Sequence, residues 1–312
     1  MIDCHVHLIA LPDSSNGCYV SPRMLRRLFV RILAWIRGFD LSNPAAANFA
    51  YLDLLFRELD RSRKVKRLVL LAMDGVYDPS GGLDISKTDF LLSNDYVLQV
   101  ARYAPGSFLA GVSINPQRRD ALAELDRCAE QGAVLVKILP NAQCFDPFDP
   151  RYRPFYKALA RHGIPLLSHT GYEFSLIGKD QSAGEPARLR TALEEGVTVI
   201  AAHACSYGLG FPEPNFKTFQ EMALRYPNFY ADTSALTLPN RVRTLFLLRR
   251  HPDLHDRLIF GTDYPLPVLS YPALGSGYRK IARVVSPFDR QALVLESLGI
   301  QCRDFSSLKK LN

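Results

Sequence analysis

Two histidines one residue apart, in Asp3-Cys4-His5-Val6-His7, close a short apolar run at the start of this chain. Alternate residues of a strand face the same side, so His5 and His7 can reach one ion from one surface. Alone the pair says little, because a packed histidine is commonly no more than a satisfied core group. Other runs end in the same chemistry: Pro165-Leu166-Leu167-Ser168-His169, Val199-Ile200-Ala201-Ala202-His203, and Leu258-Ile259-Phe260-Gly261-Thr262 with Asp263 after it. Four of the seven histidines therefore end apolar runs. The other three, His162, His251 and His255, fall in or just after helical patterns and are expected at the surface. Neutral imidazoles and a carboxylate suit Zn²⁺, with Mn or Fe as alternatives, and a catalytic site of this kind keeps a position open for water.

These residues need a scaffold that brings strand ends together. Short apolar runs recur at 2–8, 67–73, 108–114, 133–139, 164–169, 197–203, 228–233 and 257–262. They lack clean alternation, as expected of parallel strands covered on both faces. Helical patterns lie between them at 118–131, 154–162, 186–195, 216–226 and 241–251. Glycine follows three of those patterns directly, at Gly132, Gly163 and Gly196, where a left-handed residue would stop the helix and turn the chain into the next strand. From the third run onward the starts fall about 30 residues apart, the length a βαβ unit needs. A doubly wound open sheet has similar spacing, but polar groups gathered at the C-terminal ends of several strands favour a (β/α)8 TIM barrel.

With 312 residues, 47% of them hydrophobic, the chain can bury a full core, and no linker divides it, so one barrel domain over 1–312 is expected. A stretch of about 9–46 after the first strand does not fit the repeat. It contains a helix opened by Ser21-Pro22, with an apolar stripe of Leu25, Leu28, Phe29, Ile32, Leu33 and Ile36 and with Trp35 beside it. As a βα insertion it belongs over the barrel mouth, as a substrate lid, a homodimer contact or a helix merely packed on the rim.

The six cysteines are scattered and form no disulfide-like framework, and the N-terminus shows no basic segment followed by an apolar one; a cytoplasmic protein without a secretory leader is expected. No run is long and apolar enough for a membrane span. The net charge of +7 admits an anionic small-molecule substrate. The basic clusters, Arg23, Arg26 and Arg27 and then Arg241, Arg243, Arg249 and Arg250, read as solvated helix faces, and no nucleic-acid partner is expected.

His5 and His7 on strand one, His169 on strand five, His203 on strand six and Asp263 on strand eight together resemble the amidohydrolase superfamily. The segments Val136-Lys137-Ile138-Leu139-Pro140-Asn141, Ser168-His169-Thr170-Gly171 and Phe260-Gly261-Thr262-Asp263-Tyr264-Pro265 are similar to its amidohydrolase-related (amidohydrolase 2) TIM-barrel branch of metal-dependent hydrolases. The resemblance spans nearly the whole chain. It implies His5, His7, His169 and Asp263 as ligands of one or two divalent ions, with Asp263 moving the proton of the attacking water. His203 would polarise the substrate carbonyl or join a second ion.

Lys137 decides between those counts. A lysine in an apolar strand is costly unless paired or neutralised. In binuclear members of the superfamily a carboxylated lysine bridges two metals; the alternatives are an unmodified lysine that binds substrate or one pointing outward between helices. Asn141, Tyr172, Glu173 and Ser206 follow strand ends and are candidate substrate contacts, with Gln143, Tyr207, Tyr264, Arg151 and Asp74 as further mouth residues.

The expected reaction is hydrolysis of an ester, lactone or amide bond. A metal-dependent decarboxylase is the alternative. Its relatives usually carry a glycine and an acidic residue soon after the strand-six histidine, where this chain has His203-Ala204-Cys205-Ser206. Barrel DNases place a glutamate on strand four, where Lys137 stands here. A non-catalytic metal-binding barrel is the remaining reading.

Overall fold

The computed structural model describes residues 1–309 apart from 175, 177–179, 274 and 276; at residues 29, 33 and 35–37 it describes the backbone alone. Eight parallel strands run in sequence order around one sheet: β1 (Ile2–His7), β2 (Arg67–Leu71), β3 (Phe108–Ser113), β4 (Leu135–Ile138), β5 (Leu166–Ser168), β6 (Val199–Ala201), β7 (Phe229–Asp232) and β8 (Leu258–Ile259). The chain just beyond β8 closes the circle against β1. Cys4 donates its N–H to the Phe260 carbonyl at 3.1 Å, Asp263 to that of His5 at 2.9 Å, and His7 to that of Tyr264 at 2.8 Å. The result is the (β/α)8 barrel, each strand a few residues shorter than its apolar run.

Strand side chains split between two apolar layers. Leu71, Leu135, Leu167, Ile200 and Ile259 point inward and fill the barrel, while Leu70, Val136, Leu166 and Val199 face the surrounding helices. All are essentially buried, so truncating any one to alanine costs about 2–5 kcal/mol. The three helix-ending glycines all adopt the expected left-handed backbone, at φ of 90°, 57° and 83° for Gly132, Gly163 and Gly196. A register shift in β1 between Asp3 and Val6 locally bends the strand that carries both histidines.

The insertion after β1 is broken rather than continuous. A short helix, Pro22–Leu25, is capped by the Ser21 hydroxyl on the Met24 N–H and ends at Arg26; a second runs over Leu28–Arg37, and a third, Pro44–Asp60, leads back toward β2. The break resets the helical phase and corrects the expected stripe. Leu28 and Ile32 are exposed, at 71% and 45%, whereas Ala34 is buried. Phe29, Leu33 and Ile36 of that stripe, and Trp35 beside it, lie outside the described side chains. Among the described residues, no helix is long and apolar enough to cross a membrane.

Candidate active site

The C-terminal ends of the strands deliver five predicted residues to one mouth. His5 Nε2 lies 3.3 Å and His7 Nε2 3.0 Å from Asp263 Oδ1. One ligand atom from each of these three residues falls within 4.8 Å of the other two. Asp263 reaches this position through a left-handed backbone, φ 68°, which Asp tolerates better than most residues and which turns its carboxylate back over β1. His203 Nδ1 stands 3.9 Å from its other oxygen, Oδ2. Burial alone would raise the Asp263 carboxyl, but His5, His7 and His203 hold it well below the usual carboxylate range.

A carboxylate and a hydroxyl behind the histidines fix their tautomers. Asp232, at the end of β7, accepts from His5 Nδ1 through Oδ2 at 2.7 Å, and its Oδ1 takes the N–H groups of His203 at 2.8 Å and Ser234 at 3.0 Å. The Ser234 hydroxyl donates to Asp232 Oδ1 and so can only accept from His203 Nδ1, 2.8 Å away; the Ser234 carbonyl is a second acceptor for that nitrogen at 3.2 Å. With Nδ1 protonated, His203 Nε2 is an acceptor, and the group it faces at 3.3 Å is His169 Nδ1. The chain of donors thus leaves His5 Nε2 and His169 Nε2 unprotonated, each with a lone pair to offer. Among the described residues His169 Nε2 is buried without a hydrogen-bond partner, and Glu173 Oε2 lies 3.5 Å from it. Burial, and then the Arg241 charge, push both His169 and His203 well below the ordinary histidine range; burial, and then Lys137, lower His5.

This donor set fits a divalent cation. Three nitrogen and oxygen atoms converge, the Nδ1 of His5 is anchored by a carboxylate as that of metal-binding histidines usually is, and among the described residues a fourth buried nitrogen nearby makes no hydrogen bond.

Lys137 points into the barrel, which overturns the outward-facing alternative. It is 1% exposed, with Nζ 3.4 Å from His5 Nε2, and burial lowers its pKa against the pull of Asp232, Asp263 and Glu173. The segment holding His203 is unusual in its backbone. His203, Ala204 and Cys205 all have positive φ, at 60°, 47° and 60°, each a costly conformation for a residue with a Cβ. That turn replaces the expected continuation of β6 and aims the His203 ring at His169.

The other mouth residues divide. Tyr172 and Glu173 line the central cavity of about 650 Å³, which also contains the five strand-end residues and Lys137. Asn141 and Ser206 are absent from that lining, against expectation, because loop bonds consume them: the Asn141 amide donates to the Gly171 carbonyl and to Gln181, and the Ser206 hydroxyl to Glu213 at 2.8 Å. Gln143 braces the β4 loop by accepting from the Leu139 N–H. Asp74 is held by Gly75, Asn115 and Tyr77 away from the cavity, and Arg151 pairs with Asp149 at the surface. Tyr207 supplies a carbonyl to the Tyr172 N–H, and Tyr264 bridges β1 through its backbone.

Two surface assignments are corrected. His255 is buried, its Nε2 on the Leu248 carbonyl at 3.1 Å. Arg241 is only 5% exposed and lines the cavity, since it precedes its helix, Val242–Arg250, at the barrel mouth rather than lying on its outer face. Asp232, Ser234 and Arg241 are the site residues that sequence reasoning passed over. Asp232 does end an apolar run, so the rule that singled out Asp263 would have found it.

The sequence profile of the amidohydrolase family matches residues 2–281. No curated protein matches the chain. Among solved structures, an uncharacterized TIM-barrel protein from Bordetella bronchiseptica is 21% identical with a TM-score of 0.61, over 96% of this chain and 99% of that one. 5-Carboxyvanillate decarboxylase from Sphingomonas paucimobilis is 14% identical with a TM-score of 0.53, covering 100% and 99%. A dihydroxybenzoic acid decarboxylase from Polaromonas sp. JS666, solved with manganese and 2-nitroresorcinol, is 13% identical with a TM-score of 0.53 over 99% of both chains. At these identities the likeness is one of fold.

Proposed function

Because the chain belongs to the amidohydrolase family, a metal-dependent one, we propose that it hydrolyses an ester, lactone or amide bond of a small anionic molecule at a single divalent ion. The observation that carries this reading is the division of the Asp263 carboxylate, with Oδ1 toward His5 and His7 and Oδ2 toward His203. His5, His7 and Asp263 would hold the ion, with His169 Nε2 as the adjacent open donor; zinc is the expected metal. When bound there, a divalent cation supplies Lewis acidity to a carbonyl oxygen and to water.

The residues around it divide the work. Asp263 takes a proton from the attacking water on Oδ2 and returns it to the leaving group. His203 keeps its Nδ1 proton on Ser234 and fixes the ring of His169. Lys137, unmodified and buried beside His5 in the same cavity, would bind the substrate and stabilise its developing negative charge. Tyr172 and Glu173 contact the substrate at the mouth.

Decarboxylation is the second reading. It is favoured by the cationic Arg241 and Lys137 in a buried cavity, where a carboxylate loses solvation, and by the decarboxylases that share the fold. Turnover of a panel of anionic esters, lactones and amides in ¹⁸O-labelled water separates the two. Hydrolysis places ¹⁸O in the product acid; release of CO₂ from a carboxylated substrate without ¹⁸O incorporation would overturn the first reading in favour of the second.

A further inference from the structure

Most of the 650 Å³ cavity is not needed by the polar site. By the volume water occupies in the liquid, it would hold on the order of 20 molecules, yet its walls away from the strand ends are mostly apolar, with Asn48 and Asn240 as exceptions. The insertion supplies much of that wall through Val20, Met24, Val30 and Ala34, so the stretch that interrupts the barrel repeat encloses the space above the catalytic residues. A substrate of a few heavy atoms would leave this chamber unfilled. At the same mouth stands Arg241. Its guanidinium donates to the carbonyls of Ser206 at 2.9 Å and Tyr172 at 3.3 Å and forms no ion pair among the described residues. The carboxylates of Asp263, Glu173 and Glu213 act on this buried cation only from beyond ion-pair distance, and an anionic ligand group in direct contact would offset its desolvation further.

We propose that the substrate is an amphiphilic anion, with a carboxylate held by Arg241 and an extended apolar tail lodged in the chamber beneath the insertion. This rests on the reading of the strand ends as the catalytic site, and it adds the substrate class. The chamber is continuous with that site, and the charge at its mouth selects an acid over a neutral lipid.

The test is calorimetric titration of the purified protein with hexanoate, decanoate and 1-decanol at fixed ionic strength. Each buried methylene tightens binding roughly threefold to fourfold, so decanoate should bind on the order of a hundredfold more tightly than hexanoate. Ala34→Trp, which fills the chamber, should reduce that ratio below about tenfold, and Val30→Trp serves the same purpose if the first variant melts early. Arg241→Gln should weaken both acids by the same factor, about tenfold or more, and leave 1-decanol unchanged. Equal affinities for hexanoate and decanoate, or an undiminished ratio in a folded tryptophan variant, overturn the chamber; undiminished acid binding by Arg241→Gln overturns the anion site. Chain-length-dependent binding without any turnover of esters, lactones or amides would leave the chamber standing and remove the hydrolase reading. Hydrolysis indifferent to chain length would do the reverse.

Discussion

Asp232 Oδ2 accepts the Nδ1 proton of His5 at 2.7 Å, and neither side chain has any exposed surface. This contact fixes which nitrogen of His5 faces the mouth, and through Ser234 the same carboxylate governs His203 and then His169. Orientation of His5, His203 and His169 thus descends from one residue at the end of β7.

Replacing Asp232 by Asn should therefore act on the metal without touching it. The amide can present a donor to His5 Nδ1 and so favour the wrong tautomer. Competition with a chelator should show zinc affinity reduced by about 10–100-fold while circular dichroism still reports a folded barrel. Unchanged affinity would mean that the contact orients nothing.

Lys137→Met should separate stability from activity. The methionine removes a buried amine and keeps most of the volume, so denaturant unfolding should show a gain of about 1–2 kcal/mol, while hydrolytic turnover falls by at least a hundredfold. Zinc content should stay at one per chain. A fall from two ions to one would instead establish the carboxylated, bridging lysine.

Two glycines give a matched pair of predictions. A Cβ at Gly163 meets nothing within 4 Å, so Gly163→Ala bears only the left-handed backbone cost, about 1 kcal/mol, with activity intact. A Cβ at Gly171 would lie 2.1 Å from the Ser206 carbonyl oxygen, two residues beyond His169. Gly171→Ala should lose more than about 2 kcal/mol and displace the β5 loop enough to reduce activity, measured by unfolding and turnover on the same samples.

Acid sensitivity should come partly from the joint before β2. Asp289 accepts from the Ser62 hydroxyl at 2.5 Å and from the N–H groups of Arg63 at 2.9 Å and Lys64 at 3.0 Å. Burial opposes its ionisation, but these donors outweigh it and hold the folded-state pKa below the usual aspartate value. A depressed folded pKa stabilises the protein above the unfolded value of about 4 and loses that contribution as pH falls through the folded one. Asp289→Asn should cost about 1–3 kcal/mol at pH 7, and the difference from the unaltered protein should shrink below about pH 4. A gap independent of pH would place its origin elsewhere.

The eight strands were legible because parallel strands buried on both faces concentrate Leu, Ile and Val, and because glycine at 132, 163 and 196 marks three of the helix stops. His5, His7, His169, His203 and Asp263 were legible because a polar residue at the end of such a run stands out. Asp232 ends a run as well and the same rule would have found it, but its place behind His5 leaves no sign in the sequence. Arg241 was hidden among other basic residues of a helical pattern, since its burial depends on where the preceding loop leaves the barrel. In the insertion, the break between Leu25 and Leu28 has no glycine or proline to announce it, so a continuous stripe drawn through both helices put Leu28 and Ile32 on the wrong side.

One divalent ion should sit among His5, His7 and Asp263. Anomalous diffraction from crystals of the protein supplied with zinc, recorded on both sides of the zinc absorption edge, tests it directly. A single strong peak is expected within about 2.0–2.2 Å of His5 Nε2, His7 Nε2 and an Asp263 oxygen. No peak at that position, or a peak held by other residues, would contradict it.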